Sequence, residues 1–417
     1  MTNFNTSIFR ILIALDKEAL QQVIDTQLPV DLLNQFAPPG AGGIRISAKR
    51  KGKIDFQAEK YTFKYQVPLE LFVQKDTMLG NVDVLFEMYL GFQTQFLFKE
   101  NWEIATRTQL TGYQWIKEPK LDFGLVNISL DKTVLNAIES NKESLCKQVD
   151  EKIKEVLNIR PLLTNFIASL PNPISTPAGA QVWWKCEEVD TSMSPIYEDE
   201  NFVYTKISLK GATEFSYGKA LPKANTIVKS PDIVPDIEKE SLIQSQLKLD
   251  FKAMEKTALT MLQKQNFEYK GQKVKVSSVQ VNQAGQRLKI NLGLDGAFSG
   301  EGVLIGKPVF EKANQIVKVT EAELDLKGNN FISKTMVVFL KKVIEEKLMA
   351  NLQFPITKSI EAANQQIKYF HFQDGFFAKA KINEVDLPKI EVVTDALVLH
   401  LSVKAYLQLG LEMKEAV

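Results

Sequence analysis

The sequence predicts an α+β fold made of two tandem modules, in each of which a long α-helix is wrapped by a highly twisted antiparallel β-sheet. Two long amphipathic stretches, 131–161 and 329–355, each follow a series of runs in which apolar and polar residues alternate. The order of these elements occurs twice along the chain. The last run, 397–411, has one apolar face, which is the surface that a helix with one apolar stripe needs as a partner.

In the first half, residues 7–15 are apolar and β-branched, as is typical of a strand, and Asp16 can cap the helix that follows. A meander of antiparallel strands comes next. Asp131 then begins an amphipathic helix that ends near Pro161 and spans roughly 40 Å. A shorter helix at 162–170 and closing strands complete this half. The meander strands are predicted at 44–48, 61–67, 82–90, 92–98 and 102–110, and the closing strands at 182–184, 202–209 and 211–217.

The second half begins after residues 218–240, where three prolines indicate a linker. A strand at 246–251 leads into a helix that carries Met254 and Leu262. Strands, a long helix at 329–355, a shorter helix at 356–370 and closing strands follow. The predicted domains are therefore residues 1–222, a linker or crossover at 223–240, and residues 241–417.

The composition argues against nucleic acid as a partner and against catalysis. The 417 residues include 51 Lys and Arg and 50 Asp and Glu, so the chain lacks the excess positive charge on which nucleic-acid affinity depends. There are 25 Phe but only two His and two Cys, the residues that perform most proton-transfer, nucleophilic and soft-metal chemistry. We therefore expect no enzyme, no cofactor and no metal site. A hydrolase built on a pair of carboxylates is the alternative left open.

Four further features have a structural and a functional interpretation. The glycines around Gly300 favour bending of the sheet over a phosphate loop, because no Lys-Ser/Thr pair follows them. His400 falls on the polar face of the last strand, which predicts a solvated side chain. The acidic residues between 187 and 200 predict a solvated turn rather than a calcium loop. An aromatic cluster fits packing at the module ends, a membrane-interface rim or a stacking surface, and consists of Trp102, Tyr113, Trp115, Trp183 and Trp184.

The sequence as written contains no export signal. The apolar run at 8–15 is short, is interrupted by Arg10, and has neither a basic segment before it nor a cleavage site after it. The longest uncharged stretch, 161–184, contains four prolines, which predicts a helix end and a loop rather than a membrane span. These features predict a cytoplasmic location. A periplasmic or membrane-associated location is the alternative if a leader was removed.

The order of strand, helix, meander, long helix and closing strands, given twice, resembles the tubular lipid-binding superfamily. More narrowly, the chain resembles a bacterial family of tandem modules of this kind, catalogued as a domain of unknown function, whose members usually begin with an export or lipoprotein leader. The resemblance covers nearly the whole chain and brings no catalytic motif. It is carried by residues 7–15 with the following helix, Gly112-Tyr-Gln-Trp-Ile-Lys-Glu-Pro, Gly296-Ala-Phe-Ser-Gly-Glu-Gly-Val-Leu-Ile-Gly-Lys-Pro-Val-Phe and Glu323-Leu-Asp-Leu.

In this superfamily the acyl chain of a lipid lies between helix and sheet. The resemblance therefore implies that the protein binds a lipid or another elongated apolar ligand as a carrier, transfer protein or sensor, with a membrane surface as a further partner. The alternative is an interaction or assembly protein of the same fold, whose seams are filled by side chains. The oligomeric state stays open. The ligand-binding residues that the resemblance implies are Leu135, Ile138, Val149 and Ile153 in the first long helix, and Met336, Phe339, Leu340 and Val343 in the second.

Overall fold

Alternating apolar and polar residues form strands through most of the chain, so the structure, a computed structural model, is rich in β-sheet. Among the described residues strands account for 67% and helices for 20%. The structure describes residues 6–27, 31–36, 44–77, 80–98, 102, 104–118, 120–122, 127–129, 131–156, 166, 173–175, 181–222, 231–265, 267–269, 272–328, 338, 341–342, 344–346, 353–373 and 376–411.

The elements are named here in chain order. The helices are α1 (Lys17–Gln27), α2 (Asp131–Val156), α3 (Phe251–Gln263) and α4 (Ile356–Ile367). The strands are β1 (Thr6–Asp16), β2 (Asp31–Phe36), β3 (Ile44–Arg50), β4 (Asp55–Glu59), β5 (Thr62–Thr77), β6 (Gly80–Phe98), β7 (Ile104–Lys117), β8 (Lys120–Asp122), β9 (Asn127–Ser129), β10 (Ile174–Ser175), β11 (Gln181–Met193), β12 (Tyr197–Glu198), β13 (Phe202–Tyr217), β14 (Asp232–Ile233), β15 (Glu240–Asp250), β16 (Phe267–Tyr269), β17 (Gln272–Ala284), β18 (Arg287–Gly296), β19 (Gly300–Glu311), β20 (Ile316–Gly328), β21 (Gln353–Pro355), β22 (Phe370–Gln373), β23 (Phe376–Val393) and β24 (Ala396–Leu411).

Strands from both ends of the chain meet in one ten-stranded sheet. Its main path is β10-β11-β13-β1-β15-β24-β23-β22, with β12 beside β13 and β14 beside β11. β1 is antiparallel to β13, and β15 is antiparallel to β24. The longer strand of each pair then continues alongside the shorter strand of the other pair, in parallel. β13 reaches β15 at 214–217, and β24 reaches β1 at 407–411. This strand exchange joins the N- and C-terminal halves in one sheet.

Side-chain hydroxyls hold β1 to β15 where the two strands cross. Ile8 pairs with Leu242 at this point. Ser7 Oγ lies 3.1 Å from both the N and the O of Gln244. Ser241 Oγ, in the corresponding place on the other strand, lies 2.8 Å from the N and 3.1 Å from the O of Arg10. Each serine therefore satisfies a peptide group that the partner strand leaves without a ladder hydrogen bond.

Two six-stranded sheets complete the main architecture. The first has the path β2-β3-β5-β6-β7 with β4 beside β5, and it packs with α1 and α2 around a core that includes Phe86 and Met88. The second has the path β16-β17-β18-β19-β20-β21, and it packs with α3, β23 and β24 around Phe298. Gly293 and Gly306 lie at register shifts of this second sheet, which confirms that these glycines bend it. β8 and β9 form a separate two-stranded sheet.

The helix starts predicted at Asp16 and Asp131 are confirmed, and the structure adds a cap at Asp250. Asp16 Oδ1 accepts a hydrogen bond of 2.9 Å from Ala19 N at the beginning of α1. Asp250 caps α3 by accepting from the N–H groups of the second and third residues of that helix. Asp131 is the first residue of α2, as predicted. Asp16 and Asp250 therefore satisfy amide groups that have no partner inside the helix.

The predicted fold class of two tandem, helix-wrapped modules is wrong. The chain is mainly β, and the strand exchange joins its two halves in one sheet. α2 lies along the edge of a six-stranded sheet, and Lys132, Glu139 and Ser140 are exposed on its outer side. The core of the first six-stranded sheet includes the apolar stripe of α2, but that helix lies along one edge of the sheet and is not wrapped by it. Of the second predicted long helix, 329–355, the structure describes residues 338, 341–342 and 344–346 as helical and 353–355 as strand β21, and the others lie outside the described residues.

The structure also bears on two of the predicted meander strands and on the predicted linker. The strands predicted at 82–90 and 92–98 are one strand, β6, which continues through Gly91. A Cβ atom at Gly91 would lie 2.7 Å from Thr111 Oγ1, so glycine allows β7 to pass close by. The domain boundaries stay a prediction. Within the predicted linker, β14 pairs with β11, which attaches this part of the linker to the ten-stranded sheet.

Candidate functional site

α2 runs beside β7, the strand at the end of the first six-stranded sheet. Asp150 Oδ2 accepts a hydrogen bond of 3.2 Å from Thr108 N, so a side chain of the helix satisfies an outward amide of the edge strand. Thr106 Oγ1 donates to Asp150 O at 3.3 Å. One helical turn earlier, the Cys146 thiol lies within hydrogen-bond reach of the Leu110 backbone. Helix and strand therefore run antiparallel, and we call the space between them the α2–β7 seam.

The helix side of the seam is apolar in its centre. The buried side chains of α2 follow helical spacing and pack in the core of the first six-stranded sheet; they are Val134, Ala137, Ile138, Leu145 and Val149. Leu135 is half-buried and lies three turns before Cys146, on the flank of α2 that faces β7. An apolar stripe and a flank beside the edge strand are the walls that an elongated apolar ligand would contact.

A chain of hydroxyl groups occupies one end of the seam. Tyr65 Oη lies 2.9 Å from Thr94 Oγ1, which lies 2.6 Å from Thr108 Oγ1. Thr108 Oγ1 in turn donates to Asp150 Oδ1 at 2.6 Å. Tyr65 and both threonines are buried, and burial raises the pKa of the Tyr65 phenol well above its usual value, with the charge of Asp150 acting in the same direction. We call these four residues the hydroxyl chain; they connect β5, β6 and β7 to α2.

Aromatic side chains lie near the other end of the seam. Tyr113 pairs with Leu90 and Trp115 with Met88, so both project from the face of the sheet whose side chains form the core. Tyr113 is nevertheless 49% exposed and Trp115 is half-buried, and their rings meet edge to face with centroids 6.1 Å apart. The apolar face of the sheet is therefore open to solvent here. We call this pair the aromatic end.

The two ends of the seam are set apart by the geometry of helix and strand. From Cys146 back to Leu135 the helix rises about 16 Å at 1.5 Å per residue. From Leu110 forward to Trp115 the strand advances about 13 Å at 3.3 Å per step, because Thr111 is an extra residue in a bulge and β6 covers the same interval in the four steps from Phe92 to Met88. Because Cys146 lies beside Leu110, these distances place Leu135 at about the level of Trp115. The seam therefore runs from the hydroxyl chain to the aromatic end.

The structure brings together part of the predicted ligand-binding set. Ile138 and Val149 are buried in the core beneath α2, and Leu135 is half-buried on its flank. Ile153 belongs to α2, and its side chain lies outside the described residues. The predicted residues of the second long helix also lie outside them; these are Met336, Phe339, Leu340 and Val343.

Sequence reasoning missed the hydroxyl chain and the role of Asp150. A signal for the hydroxyl chain was present, because Thr94 interrupts the buried face of β6 between Phe92 and Phe96. A polar residue at a buried position needs a hydrogen-bond partner, so such interruptions indicate buried networks. Asp150 gave no such signal, because helical spacing places it beside the charged residues Glu139 and Glu143.

The remaining predicted features differ in outcome. The prediction that His400 is solvated is wrong: the ring is 6% exposed, because the strands on both sides cover it, and its Nε2 lies 2.8 Å from Glu391 Oε2. Two of the acidic residues predicted to form a solvated turn make ion pairs, Glu187 with Lys185 and Glu198 with Lys17. Of the aromatic cluster, Trp102 is buried in the core of the ten-stranded sheet.

The part of the chain that the structure describes has no metal cluster and no helix that could span a membrane. No three His, Cys, Asp or Glu side chains within the described residues come together as a metal site. No helix in the same part of the chain is long and apolar enough to cross a membrane. Cys146 and Cys186 are not joined by a disulfide.

The chain matches a protein family over nearly its whole length. The family model, described as "Domain of unknown function (DUF4403)", matches residues 5–411. Among solved structures, the chain is similar to the crystal structure of lipopolysaccharide binding protein, with 12% identity, 99% of each chain covered and a TM-score of 0.34. It is also similar to that of P47 of Clostridium botulinum E1, with 10% identity, 95% of this chain and 98% of that chain covered, and a TM-score of 0.22. A search of the curated proteins finds no match.

Proposed function

Because the chain belongs to the family described as Domain of unknown function (DUF4403), we propose a function from its geometry: it binds a lipid or another elongated apolar ligand in the α2–β7 seam and catalyses no reaction. The aromatic end carries this proposal. Two aromatic rings stand on the core face of a sheet and are nonetheless reached by solvent. Such rings offer an apolar chain a large contact area where it enters a protein core.

The composition of the seam supports an apolar ligand with one polar group. The core beneath α2 is aliphatic and aromatic, whereas the inner end of the seam carries the hydroxyl chain. Ligand sites of this kind combine mostly apolar walls with a few polar groups that fix orientation. The proposal includes a relationship to the tubular lipid-binding superfamily, which is supported by the segments quoted in the sequence analysis.

A second candidate function is assembly or interaction without a ligand. It is favoured by the complete burial of Val134, Ala137 and Ile138, because side chains that already fill the centre of the seam leave an acyl chain less room. In this case the exposed rings of the aromatic end would contact a protein partner instead. The two functions differ in whether the seam takes up a hydrocarbon.

Uptake of diphenylhexatriene, an elongated hydrocarbon that fluoresces in apolar surroundings, tests the proposal on the full chain. Leu135→Trp places a bulky ring on the flank of α2 at the level of the aromatic end. Asn136→Trp is the matched control, because this neighbouring residue is exposed. We expect the wild type and Asn136→Trp to bind the probe alike, and Leu135→Trp to bind it at least tenfold more weakly.

Organic extraction of the purified protein, followed by mass spectrometry, provides an independent readout, since a lipid binder made in a lipid-rich host retains lipid. If the protein takes up no probe and the organic extracts contain no lipid, the ligand-binding proposal is refuted and the assembly function is favoured. Probe uptake that Leu135→Trp leaves unchanged would place the ligand elsewhere and refute the seam as its site. Circular dichroism of both variants verifies that they fold as the wild type does.

A further inference from the structure

Asp150 gives the hydroxyl chain a direction. An ionised carboxylate only accepts hydrogen bonds, so the Thr108 hydroxyl must donate its single proton to Asp150. Thr108 Oγ1 then accepts from Thr94, and Thr94 Oγ1 accepts from Tyr65. All three hydroxyl protons are used within the chain in this order, from Tyr65 to Asp150.

This direction of the hydrogen bonds leaves only an acceptor, the Tyr65 phenol oxygen, at the end of the hydroxyl chain farthest from Asp150. The proton of the Tyr65 phenol is committed to Thr94, so the phenol oxygen can offer only its lone pairs. Tyr65 is buried among apolar side chains of the core, where its ring stacks on Phe92 with centroids 5.6 Å apart. A ligand group that meets this oxygen in such surroundings must donate a hydrogen bond, because a buried acceptor facing another acceptor is costly.

The negative charge of Asp150, at the other end of the hydroxyl chain, also disfavours a ligand group that is negatively charged. Asp150 is the charged member of the hydroxyl chain, and its negative charge reaches the phenol, whose pKa it raises. A carboxylate or phosphate placed beside Tyr65 would meet both an acceptor oxygen and this negative charge in surroundings of low dielectric constant. A neutral hydrogen-bond donor avoids both the contact between two acceptors and the repulsion by the negative charge.

We infer that the seam selects an alkyl ligand whose polar group is an uncharged hydrogen-bond donor, such as a hydroxyl or an amide, over one that ends in a carboxylate or phosphate. Tyr65 is the residue that makes this selection, and Asp150 acts by orienting the hydroxyl chain. The inference rests on the proposed function, since it assigns a ligand class to the same seam. It is separable from that function, because uptake of a hydrocarbon does not involve the polar end.

Displacement of bound diphenylhexatriene from the full chain by hexadecanol and by hexadecanoate tests the inference. The two competitors share an alkyl chain and differ in their polar group. We expect hexadecanol to displace the probe from the wild type at a concentration about tenfold lower than hexadecanoate, as one added or lost hydrogen bond implies. In Tyr65→Phe this preference should fall to less than threefold. Tyr89→Phe is the control and should keep the preference, because it removes a hydroxyl from the face of β6 opposite the buried Met88 and Leu90.

Each result decides a different statement. If the wild type binds the probe but prefers hexadecanoate or shows no preference, the assigned ligand class is wrong while the proposed function stands. If the preference exists but survives in Tyr65→Phe, Tyr65 is not its source and the inference is overturned. If the probe does not bind at all, the proposed function fails and the inference with it. The wild-type comparison alone tests the ligand class, so that class is decided even when a variant does not fold.

Discussion

Ser7→Ala removes one of the two serine hydroxyls that hold β1 to β15. The Ser7 hydroxyl is fully buried and makes three contacts. It accepts from Gln244 N and donates to Gln244 O, both at 3.1 Å, and it lies 2.5 Å from Thr213 Oγ1. Loss of the oxygen therefore affects the point at which the two halves of the chain share a sheet.

The expected cost follows from the groups left behind. Gln244 N loses its hydrogen bond to Ser7 Oγ, and a buried amide without a partner costs about 1–3 kcal/mol. Gln244 O keeps the Thr213 hydroxyl within 3.4 Å, so its contribution to the loss is small. We therefore expect Ser7→Ala to lower the free energy of unfolding by about 2 kcal/mol. Ser241→Ala should have a similar effect, because it deprives the peptide groups of Arg10 of the corresponding contacts.

Urea unfolding followed by circular dichroism measures this change, with Ser208→Ala as the matched control. Ser208 is a half-buried serine of β13 that makes none of these contacts, and we expect its replacement to change the free energy of unfolding by less than about 0.5 kcal/mol. A loss in Ser7→Ala no larger than in the control would refute the reasoning, since the hydroxyl would then have no part in joining the two halves.

Three other predictions concern helix caps, a crowded glycine and a buried thiol. Asp250→Ala should lower the free energy of unfolding by about 1 kcal/mol in urea, and Asp16→Ala by no more than that, because Asp16 holds one amide and Asp250 two. Gly410→Ala should cost about 1–3 kcal/mol by thermal or urea unfolding, because the new methyl group would overlap the Phe377 ring, and Phe377→Leu should restore part of the loss. Burial raises the pKa of Cys186 to about 11, so at about pH 8 a disulfide reagent should modify this thiol at least a hundredfold more slowly in the folded than in the urea-unfolded chain, and equal rates would contradict this.

Local features could be predicted because their causes lie close together in sequence. Asp131 and the apolar residues that follow it are enough to begin α2, and Asp16 is enough to begin α1. Alternation likewise predicts most strands. The alternation rule gave the wrong environment for His400, because burial there comes from neighbouring strands and not from the residue's own strand. Side-chain direction is a local property, and exposure is not.

Long-range features could not be predicted from the pattern. The pairing of β1 with β24 joins residues nearly 400 positions apart, and no local signal specifies it. Ser7 and Ser241 are the sequence trace of the crossing of β1 and β15, since each is a small polar residue at a fully buried position. Of the candidate site, the apolar stripe of α2 followed from helical spacing, whereas the hydroxyl chain depends on how three strands and a helix come together.

The strand exchange also governs the order in which the protein can be completed during synthesis. Residues 11–15 leave the ribosome almost 400 residues before their partners at 407–411 are made. At roughly 5–20 residues per second, one edge of β1 waits about 20–80 s for its neighbour. An unpaired apolar edge invites pairing with other chains. β13 pairs with the opposite edge of β1 and leaves residues 11–15 open on this side, so a chain that stops before β24 would expose an aggregation-prone edge.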